Sequence, residues 1–328
     1  MSRTINWGII GPGKIANRFA SAFGPFPDAK LYAVASRDIT KAKAFAETYS
    51  INTCYDNYEA LVKDPAVDVI YIATPHSFHH EQTLLCLKHK KAVLCEKPLT
   101  LNHRLAKEMV NAAREHNTFL MEAMWSRFFP TTIKAKQLIE QGTIGDVKYM
   151  RADFGFKGPY DPKSRLYDLA LGGGAMLDVG VYPLFLSLYI LGKPKEIKAS
   201  VQLASTGADQ TTNAIFTYAN GSMANILSSI VIDTPKDAEI IGTEGTITIH
   251  TPWHKSMALT IKKTDGQEQR IDLPYEGNGF EYQVEEVMKC MQNNQKESLL
   301  MPLDFSLMMA EVSDEVRRQC NIKYPEDN

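Results

Sequence analysis

The residues Gly11-Pro12-Gly13-Lys14-Ile15-Ala16 form a G-x-G-x-x-A turn, straight after an apolar run and opening a helical pattern. Gly11 permits a tight turn, Gly13 lets backbone N–H groups approach a pyrophosphate, and Ala16 lets helix and strand pack closely. The helix N-terminus at Lys14 and Ile15 adds unpaired donors and partial positive charge. A glycine string alone is weak evidence, but this one opens a run of alternating strands and helices, and a dinucleotide is the ligand that such a turn serves. An acidic acceptor for the ribose of NAD is expected about 20 residues beyond the turn. Ser36 and Arg37 stand at the end of the second strand instead. A hydroxyl and a guanidinium suit a 2′-phosphate, so NADP is favoured, with NAD as the alternative. Asp38 reads as the start of the next helix, and an arginine paired with a nearby acid is the competing reading of Arg37.

Ligands on a parallel sheet lie beyond the carboxyl ends of the strands. The third strand delivers Thr74, Pro75, His76 and His79, and the fourth delivers Glu96-Lys97-Pro98, all candidate cofactor contacts. Pro98 restricts the backbone of Lys97. A partly buried ammonium can hold a substrate oxygen and stabilise developing alkoxide charge; a surface lysine paired with Glu96 is the bland alternative. Later come Gly172-Gly173-Gly174-Ala175-Met176-Leu177-Asp178-Val179-Gly180-Val181-Tyr182-Pro183. Three glycines are costly inside a helix, so they read as a close-approach turn before one. Asp178 and Tyr182 then fall at i and i+4 on one helix face. A phenol near an ammonium is shifted toward its ionised form, closer to acid–base use. Asp178 is a candidate to orient Lys97 or accept from the substrate, with helix capping as the competing role. Trp125, Phe154, Phe156, Tyr160 and Phe280 are candidate pocket rings, of which Trp125, Phe154 and Phe280 join Asp178 and Tyr182 as proposed substrate contacts; core packing is the default for any one of them. A metal at His76, His79 and His80 is disfavoured and none is expected, because no acidic partner sits at ligand spacing and hydride transfer needs no metal.

The elements that must position these groups divide the chain in two. Apolar strands at 6–10, 30–35, 69–73, 92–95 and 118–121 alternate with helical patterns at 15–23, 40–48, 58–63, 80–89 and 102–115. Continuous apolar strands between helices imply a parallel, doubly wound α/β sheet. Beyond about Gly145, strands are read at 147–156, 196–204, 211–218, 222–232, 238–241, 246–250 and 258–262, with Asn220-Gly221 marking a hairpin. Helices are read at 174–191, 281–293 and 304–319. The expectation is a dinucleotide-binding domain at 1–122 and an α+β domain at 123–328 with a large, mostly antiparallel open-faced sheet. The closing helices are candidates to pack back on the first domain, and ligands are expected between the two.

Composition narrows the function classes. The chain has 328 residues, 44% hydrophobic and 23% charged, with a formal net charge of -2. That balance argues against a nucleic-acid partner, which needs a basic face. The longest apolar stretch, 179–191, is short of the roughly 20 residues of a membrane span and contains Pro183, so no membrane partner is expected. The N-terminus has no signal-peptide pattern, and five scattered cysteines form no CxxC pair; cytoplasm is the default location.

The glycine turn, Glu96-Lys97-Pro98 and the segment 172–183 together resemble the Gfo/Idh/MocA oxidoreductases over nearly the whole chain. Glu122-Ala123-Met124-Trp125-Ser126-Arg127-Phe128-Phe129-Pro130 is similar to the branch of dimeric dihydrodiol dehydrogenase and NADP-dependent D-xylose dehydrogenase. The resemblance implies an N-terminal Rossmann domain, a C-terminal open-faced sheet, and Lys97 as an active-site residue. It also implies cofactor contacts from Trp125 and Arg127, a histidine often found at the position of His79, and dimers or tetramers paired through the C-terminal sheet. Many relatives carry histidine where this chain has Tyr182; the branch named agrees with tyrosine. The expected protein is an NADP-dependent oxidoreductase that interconverts a secondary alcohol and a carbonyl on a small polyol, sugar or cyclic diol. Lys97 holds the reacting oxygen, Tyr182 exchanges its proton, and Asp178 organises the pair. The alternatives are an aldose 1-dehydrogenase or inositol dehydrogenase using either cofactor, and a non-catalytic NAD(P)-sensing regulator.

Overall fold

Strand β1 (Ile5–Ile10) is almost wholly buried, as the sequence of a strand covered on both faces demands. It belongs to a computed structural model that describes residues 3–327. Packing divides the chain into two compact units, Met1–Trp125 with Glu276–Leu307, and Ser126–Tyr275 with Met308–Asn328.

In the first unit β1 is followed by α1 (Lys14–Ala20), β2 (Ala29–Ala35), α2 (Ile39–Thr48), β3 (Thr53–Tyr55), α3 (Tyr58–Lys63) and β4 (Val69–Ile72). Then come α4 (His79–Lys88), β5 (Ala92–Glu96), α5 (His103–Glu115) and β6 (Leu120–Ala123). The six strands lie in the order β3-β2-β1-β4-β5-β6, and every pair is parallel. The order reverses at β1, which places the glycine turn at the switch point of a doubly wound sheet. Strand β3 escapes the sequence pattern because three half-buried edge residues are too few to show any period. Asn57, Asp38 and Asn102 cap α3, α2 and α5 by accepting backbone N–H bonds.

The second unit opens with α6 (Pro130–Glu140), a helix with proline in its first turn and a weak apolar stripe, which sequence periodicity does not reveal. Strands β7 (Val147–Gly155), β8 (Glu196–Leu203), β9 (Asp209–Thr217), β10 (Met223–Ser229), β11 (Ala238–Gly242), β12 (Gly245–Ile249), β13 (Ala258–Lys263) and β14 (Glu268–Asp272) form one eight-stranded sheet. Only β7 and β10 pair in parallel; the other neighbours are antiparallel. Strand β14, Glu-Gln-Arg-Ile-Asp, is a charged and exposed edge, the composition that keeps edges from further pairing and that also reads as loop. Asn220 and Gly221 turn the β9–β10 hairpin, with Gly221 at φ 81° and the Asn220 side chain accepting from the Ser222 N–H at 3.0 Å. The chain ends through α8 (Glu281–Gln292), in the first unit, and α9 (Leu303–Gln319).

One helix departs from expectation. A single α-helix over 174–191 is replaced by a π-turn at Met176–Gly180 leading into α7 (Val181–Leu191). Gly174 sits at φ 133°, outside any helix, and buried Asp209 takes over the start of the turn. Its carboxylate accepts from the Met176 N–H at 2.7 Å and from the Thr212 hydroxyl at 2.6 Å. The Tyr324 hydroxyl donates to the Gly173 carbonyl at 2.9 Å. Asp178 and Tyr182 therefore do not share one regular α-helical face; the first lies in the π-turn and the second in α7. A Cβ on Gly174 would stand 2.1 Å from an Asp209 carboxylate oxygen. Gly174→Ala is expected to cost about 2–4 kcal/mol, from left-handed backbone strain plus loss of the Asp209 fit. Denaturant unfolding measures it, and an unchanged midpoint would contradict this account of the turn.

Candidate active site

In the first unit, the turn after β1 has the geometry a pyrophosphate needs. Gly11 sits at φ 85°, and a Cβ there would come within 2.7 Å of the Thr74 side chain. Nothing stands within 4 Å of a Cβ placed on Gly13, so the backbone there is open to close approach, and no side chain caps the start of α1 at Lys14 and Ile15. Ser36 is buried and its hydroxyl oxygen accepts from the Asp38 N–H at 3.1 Å. Asp38 caps α2, accepting from Thr40 N–H at 3.0 Å, so its carboxylate is engaged in the helix start. Arg37 is exposed, packs over the Phe78 ring with 5.1 Å to its centroid, and makes no ion pair among the described residues. These residues fit a dinucleotide: a Cβ-free cradle, free helix donors and an exposed guanidinium whose neighbour is the Tyr58 hydroxyl.

The Lys97 turn is held from two sides. The Lys97–Pro98 bond is cis. On one side, His79, fully buried, faces the Pro98 carbonyl through Nδ1 and the Thr74 carbonyl through Nε2, both at 2.9 Å. Both nitrogens are spent on loop backbone, so His79 ties the ends of β4 and β5 together. On the other side, the Leu99 N–H donates to the buried Glu122 carboxylate at 2.9 Å. Glu96 is buried too: Tyr71 donates its hydroxyl to one oxygen at 2.5 Å, and the Lys97 N–H donates to the other at 3.2 Å. Tyr71 is in turn stacked on Phe19, with centroids 3.7 Å apart. Thr74 donates to Gln82 at 2.7 Å, Pro75 precedes the short turn carrying the buried His76, and His80 meets Glu108 at 2.9 Å. Trp125 stacks on Phe280, which is itself buried against Phe19. Phe280 is thus a core ring of this unit, holding Trp125 in place.

In the second unit Tyr182 is buried in an aromatic group. Its ring lies 5.2 Å from Phe154 and 5.5 Å from His254, and Phe154 and His254 stack at 4.3 Å. His254 is fixed through its neighbours: Ser126 donates to its carbonyl at 2.7 Å, and the Trp253 indole donates to the Asp153 carbonyl at 2.8 Å. Asp178 is buried and accepts from the Arg165 guanidinium at 2.8 Å. Arg127 lies over the Tyr189 ring, 4.3 Å from its centroid. Arg165 and His254 have no part in the sequence reading. Arg165 lies in an aperiodic loop and His254 in a three-residue turn, and neither has a motif or a period to mark it; a buried carboxylate in need of a cation was the one available signal for the arginine.

Burial pushes the Glu122 carboxyl up to about 7, against the pull of the Ser306 hydroxyl and the Leu99 N–H. An acid whose folded pKa lies above its unfolded value adds stability that is complete below the unfolded pKa, here about 4.5, and lost as pH rises through about 7. Glu122→Gln keeps an acceptor for Leu99 and removes this loss. Its stability is expected to match wild type near pH 4.5 and exceed it near pH 8 by about 2–3 kcal/mol. Urea unfolding across that range measures it, and parallel curves would exclude a buried titrating Glu122.

Two family models match the chain: an oxidoreductase family with an NAD-binding Rossmann fold over residues 5–124, and the GFO/IDH/MocA C-terminal domain over residues 132–248. The trans-1,2-dihydrobenzene-1,2-diol dehydrogenase of Xenopus tropicalis is 38% identical over 331 residues, covering 97% of this chain and 99% of that one. Among solved structures, a 3-ketoreductase from Actinomadura kijaniata in complex with NADP and TDP-benzene superposes with a TM-score of 0.88 at 25% identity, covering 97% of this chain and 98% of that one. The aldose-aldose oxidoreductase from Caulobacter crescentus complexed with glycerol gives the same figures, TM-score 0.88 and 25% identity over 97% and 98%. With its phosphate turn at the switch point of a parallel sheet and its full-length likeness to dehydrogenases, the chain is an NAD(P)-dependent oxidoreductase and belongs to the GFO/IDH/MocA family.

Proposed function

We propose that this protein uses NADP to interconvert a secondary alcohol and a carbonyl on a small cyclic diol, sugar or polyol. The observation that carries this reading is the likeness, over nearly the full length of both chains, to enzymes named for a cyclic dihydrodiol. The nicotinamide supplies hydride chemistry when bound. The Lys97 ammonium binds the reacting oxygen and offsets its developing negative charge. Tyr182 gives or takes the proton of that oxygen through its hydroxyl. Asp178, paired with Arg165, accepts from a substrate hydroxyl or steadies the reacting groups. Phe154, His254 and Trp125 supply faces for the C–H surfaces of a ring. Ser36 and Arg37 favour the 2′-phosphate of NADP, since Asp38 is committed to its helix cap. A second copy of the chain covers the outer sheet face, where Ile215 and Met223 are exposed.

Two variants test the reading. Lys97→Met is expected to lower kcat by about 10²–10⁴-fold while NADP affinity changes by less than about threefold; Tyr182→Phe lowers kcat comparably and flattens its pH profile. Nicotinamide absorbance with a diol and aldose panel measures both, and a Lys97→Met enzyme with unchanged kcat removes the lysine from the chemistry. Arg37→Ala is expected to weaken NADP by about 10–100-fold, the size of a charge-assisted contact, and leave NAD within about twofold. Fluorescence titration reads the ratio; if it is unchanged, the 2′-phosphate contact is wrong. Tight cofactor binding without turnover on any panel member would favour the sensing regulator.

A further inference from the structure

The second unit contains an open cleft of about 630 Å³, lined by Lys157, Tyr160, Tyr167, Ser205, Gln210 and Val231; apart from Tyr160, a candidate pocket ring, none of these has entered the chemistry above. The volume is within the range of small-molecule sites. Its walls have a consistent chemistry. Tyr160 is 55% exposed and stands edge-on to Tyr167, with centroids 4.8 Å apart and planes at 73°. Its hydroxyl is held by the Ser205 hydroxyl at 2.5 Å, which fixes the ring with one face toward solvent. Tyr167 is fully buried, yet its hydroxyl has no hydrogen-bond partner among the described residues. A buried hydroxyl left in that condition is costly. Gln210 donates through its amide nitrogen to the Leu203 carbonyl at 3.3 Å, so its amide oxygen remains an acceptor. Lys157 is exposed and makes no ion pair among the described residues. Among the described residues no Asp or Glu lines the cleft.

The cleft adjoins the aromatic group around Tyr182. Phe154, Phe156 and Val231 pack on one cluster with Tyr167, Ala175, Val179, Ala204 and Ile230, and Phe154 is the ring that touches Tyr182. From Phe154 the chain runs extended to Lys157, which bridges Val231. Three residues of extended chain span about 10 Å, a distance that a two-ring molecule covers and a single ring does not.

We propose that this cleft is a subsite for the distal ring of a two-ring glycoside, a pyranose that carries a carboxylate being preferred to a neutral one. The exposed Tyr160 face packs on the C–H surface of the sugar. Tyr167 and Gln210 bond its hydroxyls, and Lys157 meets the carboxylate. A cationic ring is excluded by the lysine and the lack of acids. The proposal rests on the dehydrogenase reading above for which end of the substrate reacts, but binding of the distal ring does not require turnover.

Calorimetric titration of the full chain with NADP present, using phenyl β-D-glucuronide and phenyl β-D-glucoside as probes, tests it. Both are expected to bind, the glucuronide more tightly. Tyr160→Ala, at an exposed ring whose loss does not threaten the fold, weakens both by about tenfold or more. Lys157→Met weakens the glucuronide alone, by about threefold, and raised salt does the same. No binding of either probe to the wild type, or equal affinity in wild type and Tyr160→Ala, overturns the subsite. Tyr160-dependent binding without turnover on any carbonyl panel leaves the subsite standing and removes the dehydrogenase assignment; turnover with Tyr160-independent binding does the reverse.

Discussion

The structure of the first unit depends on desolvated hydrogen bonds that hold the Lys97 turn from two sides. Glu122 accepts from the Leu99 N–H, and His79 faces the Pro98 and Thr74 carbonyls; Glu122, Leu99, Pro98 and His79 are buried and Thr74 is half-buried. Away from water a missing partner costs the full desolvation of the group left behind, so the loop has one low-energy arrangement. A lysine chain carries several rotatable bonds, and fixing the backbone on both sides of residue 97 is the economical way to limit where its ammonium goes. The end of β4 is held by the same histidine, so two loops at the carboxyl edge of the sheet share one anchor.

The second unit solves a similar problem with another device. Asp209 replaces the missing helical start, and Gly174 leaves room for its carboxylate. The result is a π-turn, in which the ladder slips by one residue and Asp178 leaves the regular α-helical register. Such turns are costly and recur at functional sites, and here the turn carries a buried carboxylate with its arginine partner. Rigid support behind a reactive side chain is what a hydride-transfer enzyme needs, because reactivity depends on close approach in one orientation. Tyr182 is held by packing: Phe154 and His254 stack beside it, the His254 carbonyl accepts from the Ser126 hydroxyl, and the carbonyl of Asp153, next to Phe154, accepts from the Trp253 indole.

The family and the doubly wound sheet were legible from residue order, because a phosphate turn and continuous apolar strands have periods and spacings that report themselves locally. The same holds for Asp38, whose position ahead of an apolar pattern marked it as a helix start. Short or weakly patterned elements, β3, α6 and β14, were not legible: three edge residues, a helix without a strong stripe, and a charged edge all resemble loop.

Sequence alone singled out Gly11, Gly13, Lys97, Asp178 and Tyr182 as candidates, since each belongs to a local motif. Tertiary structure alone decided their company. Arg165 beside Asp178, His254 beside Tyr182, Glu122 beneath Leu99 and the spent nitrogens of His79 are pairings between segments that no local period relates. Which buried group finds a partner is settled by how the chain folds back, because desolvation is a property of the packed surroundings and not of the residue.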